Sequence, residues 1–531
     1  ACFSVSVTGL HSGSFAACTM KFSVATILLV VSFLFAAKQI HCARILAIVP
    51  TPSYSHQIPF RPLWINLNKH GHEIVFITAN PIPNLNLTKF TQIDVSSTYP
   101  AVKEINFVRL RFEQVSCLKL IEDNILPISD NVVVDVLNHT DVRKLYAPNS
   151  NEHFDLVMIE MLMMPALYAF AHRFNAPLIG NFFNKKLTIA TWEMDANTGP
   201  NLPFWKRLKN FWDLWRSVYI IYNELVPRHQ KVAEKYFGPL PPLLDIQKNI
   251  SVVFVNQAEA MVAARPKLPN LITFTSFHVA DNVKPLPQDL KRFVDDARQG
   301  FIYFSLGSNA RSSDLPEETL QVFLDVFAKL PYKVVWKFEK DLPGKSKNVF
   351  IGSWFTQQTI LAHPNIKLFI YQGGLQSSEE AVHFTVPLLG IPVLGDQIYQ
   401  TDRMETLGVG KRLDLTTVTR DELEDYNYVV FSRYKRKMIE LKELVNDRPY
   451  DLMEHLVWWT EYVIRHKGAP HLRSSLAHQP WYQRYDTDIV IFLTIIGFII
   501  ISSVLSLIVK AILFFYTRSQ SCSANQKKKV N

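Results

Sequence analysis

From residue 43 onward, short apolar runs alternate with segments whose apolar residues recur at helical spacing. Runs at 44–49, 73–78, 155–159, 177–180 and 251–255 read as buried strands, and 55–70 reads as the first of the helices between them. A second series repeats the pattern, with strands at 301–304, 333–338, 348–351, 366–371 and 388–391 and helices at 316–330, 377–384, 421–446 and 452–465. Strands alternating with helices predict an α/β fold of parallel, doubly wound sheets. Between the two series lies HVADNVKPLP, residues 278–287, whose prolines resist both helix and central strand and which reads as a linker. The expected division is therefore 43–280, 281–446 and a helical segment at 447–488.

Two further stretches lack this alternation. Met20-Lys21, an apolar core at 24–37 and small residues up to Cys42 have the layout of a secretory signal peptide over 20–42, with 1–19 read as a non-native upstream extension. Residues 489–509 carry no charge and, at about 1.5 Å per residue, cross a hydrocarbon core of roughly 30 Å, so a transmembrane helix is expected. Asp486 and Asp488 precede it, while Lys510, Arg518 and Lys527 to Lys529 follow. The positive-inside rule then puts the basic tail 510–531 in the cytosol and the bulk of a single-pass type I protein in the lumen. The terminal Lys-Lys-Val-Asn resembles a dilysine signal for return to the endoplasmic reticulum.

Composition sharpens this picture in three ways. A chain of 531 residues that is 48% hydrophobic can bury two large cores. Of its five cysteines only Cys117 falls in the predicted lumenal part, so no intrachain disulfide is expected there; Asn86, Asn138 and Asn249 open candidate glycosylation sequons. The net charge of +9 comes from dispersed basic residues, which argues against nucleic acid and favours an anionic membrane surface or a charged nucleotide.

The stretch richest in chemistry is 354–400, WFTQQTILAHPNIKLFIYQGGLQSSEEAVHFTVPLLGIPVLGDQIYQ. A strand runs into Gly373-Gly374 and then a helix expected to open at Ser377, which makes an anion seat: glycine lets backbone approach closely, and the first N–H groups of the helix point at the ligand. Ser377 and Glu380 share one helix face and offer a hydroxyl for phosphate and a carboxylate for sugar hydroxyls. The turn Ser305-Leu306-Gly307-Ser308-Asn309 adds more backbone donors. In the first half, His56 follows the first strand within TPSYSHQ, in the opening turn of a helix that Ser55 is placed to cap, where the helix terminus favours the neutral ring. Glu160 follows FDLVMI and reaches the same sheet edge, where a carboxylate can fix the imidazole tautomer. Residues 161–170, rich in soft and aromatic residues with Met163, Met164 and Tyr168 among them, read mostly as core with part lining an adaptable pocket. Residues 204–222 interleave Trp and Phe with Lys and Arg and read as a cleft wall that also meets the membrane interface.

The 354–400 stretch resembles the signature box of the UDP-glycosyltransferase family in an insect-like form, and weaker similarity extends over nearly the whole mature chain. The resemblance implies a GT-B architecture: two Rossmann-like domains facing across a cleft, the first for the acceptor, the second for the UDP-sugar, with the helix at 452–465 packing back across. It implies uracil and ribose at Trp354 and Gln357, and diphosphate at Gln372, Gly373, Gly374, Gln376 and Ser377 with the Gly307 and Ser308 loop nearby. Ribose hydroxyls fall to Glu380, sugar hydroxyls to Asp396 and Gln397, and catalysis to His56 with Glu160. The chain departs from the family pattern at Gln372, where His is usual, at Thr356 for Pro, at Thr385 for Gly and at Gln400 for Asn. The implied activity is metal-independent, inverting transfer of a hexose, glucose foremost, from a UDP-sugar to a hydroxyl of small lipophilic acceptors, for detoxification or conjugation. A catalytically silent membrane-bound carrier and a lipid-specific glycosyltransferase are the alternatives, and the sequence leaves a homo-oligomer open.

Overall fold

Seven parallel strands form the first sheet: β1 (Arg44–Val49), β2 (Glu73–Thr78), β3 (Phe90–Asp94), β4 (Leu156–Glu160), β5 (Leu178–Phe182), β6 (Ile250–Asn256) and β7 (Leu271–Phe274), in the order β3-β2-β1-β4-β5-β6-β7. Six form the second: β8 (Phe301–Ser305), β9 (Lys333–Lys337), β10 (Val349–Gly352), β11 (Ile366–Tyr371), β12 (Leu388–Gly390) and β13 (Gly410–Arg412), in the order β10-β9-β8-β11-β12-β13. The computed structural model describes residues 42–182, 203–264, 266–280, 282–425, 428–474, 479–484 and 486–528, with a short antiparallel pair, Cys2–Ser4 and Lys21–Ser23. The predicted leader core at 24–37 lies outside these residues.

In each sheet the chain builds outward from its first strand, then returns to build on the other side. The direction reverses between β1 and β4, and again between β8 and β11, and a crevice at the carboxyl ends of the strands opens at such a reversal. The central strands are buried on both faces, as those of parallel sheets are. Along β8, Phe301 and Tyr303 enter one apolar cluster while Ile302 and Phe304 enter the other. Tyr303 stacks on Phe369 and Phe304 on Trp336, each with centroids 5.0 Å apart.

The loop between β1 and His56 is pinned by buried hydrogen bonds. Gln57 is fully buried, its amide donates to the carbonyls of Val49 at 2.8 Å and Thr51 at 2.9 Å, and its oxygen accepts from Thr78 at 2.7 Å. The helix expected at 55–70 is two, α1 (Tyr54–Gln57) and α2 (Arg61–Lys69), separated where Pro59 and Pro62 punctuate the chain. Ser53, not Ser55, is the N-cap, and its hydroxyl makes no capping bond. A single turn has little macrodipole.

The sheets are joined by side chains as well as by the chain. Val108 of α3 (Phe107–Phe112) is buried in a core cluster of the second domain, and Arg111 pairs with Asp414 at 2.6 Å. After α4 (Phe204–Ile220) and α5 (Gln357–Leu361) come α6 (Leu375–His383) and α7 (Gln397–Thr406). The helix expected at 377–384 is α6, which opens at Leu375. The helix expected at 421–446 is two, Arg420–Glu424 and Tyr428–Asn446. Farther on, α8 (Leu452–Arg465) returns to pack on α2, β6 and β7, with Glu461 at 3.8 Å from His72.

Through Ala469 the chain forms one unit, and Pro470–Asn531 forms another. The second contains α9 (Thr487–Lys528), of which Thr487–Arg518, 32 residues, is long and apolar enough to cross a membrane.

Thr385 carries φ 56°, the left-handed region that a β-branched residue rarely adopts, just after α6 where its N–H closes the helix on Val382. Thr385→Gly is expected to raise stability by about 1 kcal/mol, read from the urea midpoint at unchanged slope.

Candidate active site

His56 and Glu160 meet at the reversal of the first sheet. Glu160 is the last residue of β4, so its side chain reaches the loop that follows β1, and its Oε1 lies 2.6 Å from His56 Nδ1. The hydroxyl of Thr51 donates to Glu160 Oε2 at 2.5 Å. The carboxylate side chain is 1% exposed and the imidazole 13%. A carboxylate held against Nδ1 in this way can fix the tautomer of the ring, an arrangement suited to proton transfer at Nε2.

The reversal of the second sheet carries the anion seat. Gly373 follows β11 with φ 89°, a conformation suited to glycine, and an added Cβ would fall 2.6 Å from the Gln397 carbonyl. Gly374 is the N-cap of α6, so the opening N–H groups of the helix converge there. The neighbouring loop after β8 turns at Gly307, φ 81°, where a Cβ would fall 2.1 Å from the Gln372 amide nitrogen. Gln372 therefore fills the space that Gly307 leaves. Its Oε1 and the Gln376 amide nitrogen are buried without a hydrogen-bond partner, which is the state expected of groups that meet a polar ligand.

Next to this seat, α5 faces α6. Gln357 donates to Ser377 Oγ at 3.0 Å and to Glu380 Oε2 at 2.7 Å, and Gln358 donates to Glu380 Oε1 at 3.1 Å. Trp354 is 58% exposed, with Tyr54 of the first domain edge-on to its ring at 5.8 Å. Gln397 accepts from the N–H groups of Val393 at 3.0 Å and Leu394 at 3.1 Å, which leaves its amide nitrogen as the end for a ligand. Asp396 is the N-cap of α7.

One cavity of about 870 Å³ joins these groups. Its lining includes His56, Gly307, Ser308, Trp354, Gln357, Gln372, Gly374, Gln376, Ser377, Glu380, Asp396 and Gln397. Glu160 stands behind His56 and Gly373 behind Gln397, so neither lines it. From the first domain come mainly apolar side chains, among them Ile121, Ile125, Ile128, Met163 and Met164. Sequence reasoning missed the first three, which lie on helical residues between the recognised strands and carry no chemical signal of their own. Asn309 donates to Ser53 at 3.1 Å across the cleft, tying the loop before His56 to the loop after β8.

One expectation changes. No described residue of 204–222 lines the cavity: α4 buries Leu214 and Ile220, the latter in a cluster with Ile121, so it stands one layer behind, and it exposes Trp205 and Trp212. Gln400 is 2% exposed within α7 and does not line the cavity either, whereas Thr356 does, with a φ of −74° that proline shares.

Solved structures share this architecture. The crystal structure of the glycotransferase of kitacinnamycin superposes with TM-score 0.53 at 14% identity, covering 80% of this chain and all of the other. Spinosyn forosaminyltransferase SpnP does so with TM-score 0.53 at 16% identity, covering 80% and 99%. The fold is that of a GT-B glycosyltransferase. The family model described as UDP-glucoronosyl and UDP-glucosyl transferase matches residues 187–529. "UDP-glucosyltransferase 2" of Dactylopius coccus is 32% identical over 513 residues, 92% of this chain and 96% of the relative. "2-Hydroxyacylsphingosine 1-beta-galactosyltransferase" of Rattus norvegicus is 26% identical over 514 residues, 92% of each. The chain belongs to the UDP-glucuronosyl and UDP-glucosyl transferase family, whose co-substrate is a UDP-sugar.

Gly307→Ala forces a side chain onto Gln372 and strains the turn. A loss of about 1–3 kcal/mol, roughly 5- to 150-fold in affinity, is expected for UDP measured by competition, with acceptor affinity unchanged.

Proposed function

We propose that this chain transfers glucose from UDP-glucose to a hydroxyl of small lipophilic acceptors, inverting the anomeric centre in one displacement. The observation that carries this reading is the shared cavity, into which an imidazole backed by a buried carboxylate and a glycine-rich helix terminus both open. Its first-domain side is largely apolar, which suits a lipophilic acceptor.

In this scheme His56 Nε2 takes the acceptor proton as the acceptor oxygen bonds to the anomeric carbon and the bond to the diphosphate oxygen breaks. Glu160 stabilises the imidazolium. Negative charge that develops on the leaving diphosphate is received by the N–H groups at the start of α6, the Ser377 hydroxyl and the Gln372 and Gln376 amides. Trp354 packs against uracil, Gln357 and Glu380 hold the ribose, and Asp396 and Gln397 bind the sugar hydroxyls. A UDP-glucosyltransferase among the insect relatives supports glucose as donor sugar.

The proposed setting is the endoplasmic reticulum membrane, with the cavity lumenal, α9 spanning the bilayer and the conjugation of foreign or waste compounds as the role. Asn86, Asn138 and Asn249 are exposed, as glycan attachment requires. A lipid acceptor is a second reading, favoured by the apolar cavity wall and by the sphingolipid named for the rat relative.

Microsomes that express the chain test these readings through product mass spectrometry with UDP-glucose, UDP-galactose and UDP-glucuronic acid against phenols, flavonoids and a ceramide. Glucosides of the small acceptors are expected, and a product confined to ceramide selects the lipid reading. His56→Ala and Glu160→Gln should each lower kcat by about 10²–10⁴-fold while leaving UDP affinity unchanged. Acceptor binding without release of UDP from any donor would make the chain a carrier.

A further inference from the structure

Beside Glu380, and lining the same cavity, lies His278, the first residue of the passage that the sequence presents as a linker. Its side chain is only 2% exposed. Nε2 sits 3.3 Å from the Gln376 carbonyl and 3.4 Å from Glu380 Oε1, and Nδ1 faces Glu379 Oε2 at 3.6 Å. Glu379 and Glu380 are consecutive on α6, and both are buried. Two adjacent carboxylates in so dry a place hold their charges only beside a cation.

The first domain grips the same pair. Thr275, just past β7, donates its hydroxyl to Glu379 Oε1, and Asn256, at the end of β6, has its amide nitrogen 3.5 Å from Glu379 Oε2. The passage around His278 is strapped to α5 as well: Gln358 donates to the His278 carbonyl at 2.9 Å and accepts from the Ala280 N–H at 2.9 Å, while Thr359 donates to the Lys284 carbonyl at 2.7 Å. The imidazole thus touches the helix that carries the anion seat, and its backbone is tied to the helix that begins with Gln357.

We propose that His278 is a positioning residue for the nucleotide: as an imidazolium between Glu379 and Glu380 it fixes the Glu380 carboxylate and the start of α6 for the ribose and diphosphate, and through Glu379 it couples that geometry to the first domain. This rests on the assignment of the UDP-sugar to α5 and α6.

Burial is the largest influence on the ring and opposes its charge, but the hydrogen bond and charge of Glu380, with the charge of Glu379, outweigh it and raise the pKa above its ordinary 6.5. The groups acting on the ring are these two carboxylates and the Gln376 carbonyl; burial in turn raises the Glu379 carboxyl, opposed by the His278 charge and the Thr275 hydroxyl, and the Arg448 charge also acts on Glu379. A raised folded-state pKa means that the stabilising charge is fully present below the ordinary value and is lost as pH rises through the raised one. UDP affinity should therefore decline across that alkaline step.

The test uses the full chain in microsomes. KM for UDP-glucose, inhibition by UDP, acceptor KM and kcat are measured from mildly acidic to alkaline pH for the wild type, His278→Gln, Glu379→Gln and Glu380→Ala. In His278→Gln, donor KM and the UDP inhibition constant are expected to rise roughly tenfold, with acceptor KM and saturated kcat little changed and the alkaline decline abolished. In Glu379→Gln, which removes one of the two charges that hold the proton, the decline should move to lower pH. Glu380→Ala probes the donor assignment by itself: UDP affinity that ignores this change removes the assignment and the inference with it. If Glu380→Ala does weaken UDP while His278→Gln keeps the wild-type pH dependence, or loses acceptor affinity and thermal stability in equal measure, His278 has only a packing role. Should His278→Gln not accumulate, the Glu379→Gln midpoint decides: an unmoved midpoint overturns the proposal.

Discussion

The constraint behind this molecule is that a parallel sheet delivers all its strand ends to one edge. Because each sheet grows outward from its first strand in both directions, each has one place where successive loops part and leave a crevice. In the first sheet that place holds His56 after β1 and Glu160 at the end of β4. In the second it holds the Gly307 loop after β8 and Gly373-Gly374 after β11. The two halves therefore bring different chemistry to one cavity by the same topological device.

Holding the crevices face to face is the work of contacts between domains. Arg111 on Asp414, Val108 in the second core, and α8 against α2 and the β6 and β7 strands all span the halves. The polar groups inside the cleft are placed by buried neighbours of their own: Thr51 for Glu160, Gln357 and Gln358 for Glu380, Gln372 for the Gly307 turn. Many of these neighbours are amides and hydroxyls, which orient charge without adding any.

Much of this was legible in the sequence because the central strands are continuous apolar runs and the glycines and charged groups stand at their ends. β1, β2, β11 and α8 fall where the pattern puts them. The strands that escaped notice, β3, β7 and β13, lie at sheet edges; Phe90–Asp94 and Gly410–Arg412 are partly exposed and polar, so no apolar run marks them. Helix starts shifted where glycine or proline geometry overrode side-chain pattern, as at Gly374 and Pro59. The aromatic stretch of α4 misled because Trp and Phe signal a surface without saying which, and its buried stripe packs behind the cavity rather than into it. His278 was invisible as anything but linker, since the two carboxylates that enclose it come from a helix far along the chain.

The bond from Asn309 to Ser53 has a consequence for turnover. It joins the loop that leads to the imidazole with the glycine turn after β8, and so adds an uncharged link inside the cleft to the contacts made by Arg111 and α8 outside it. Any spreading of the two sheets must part that link, and it would carry the imidazole away from the glycine turn together with its own half.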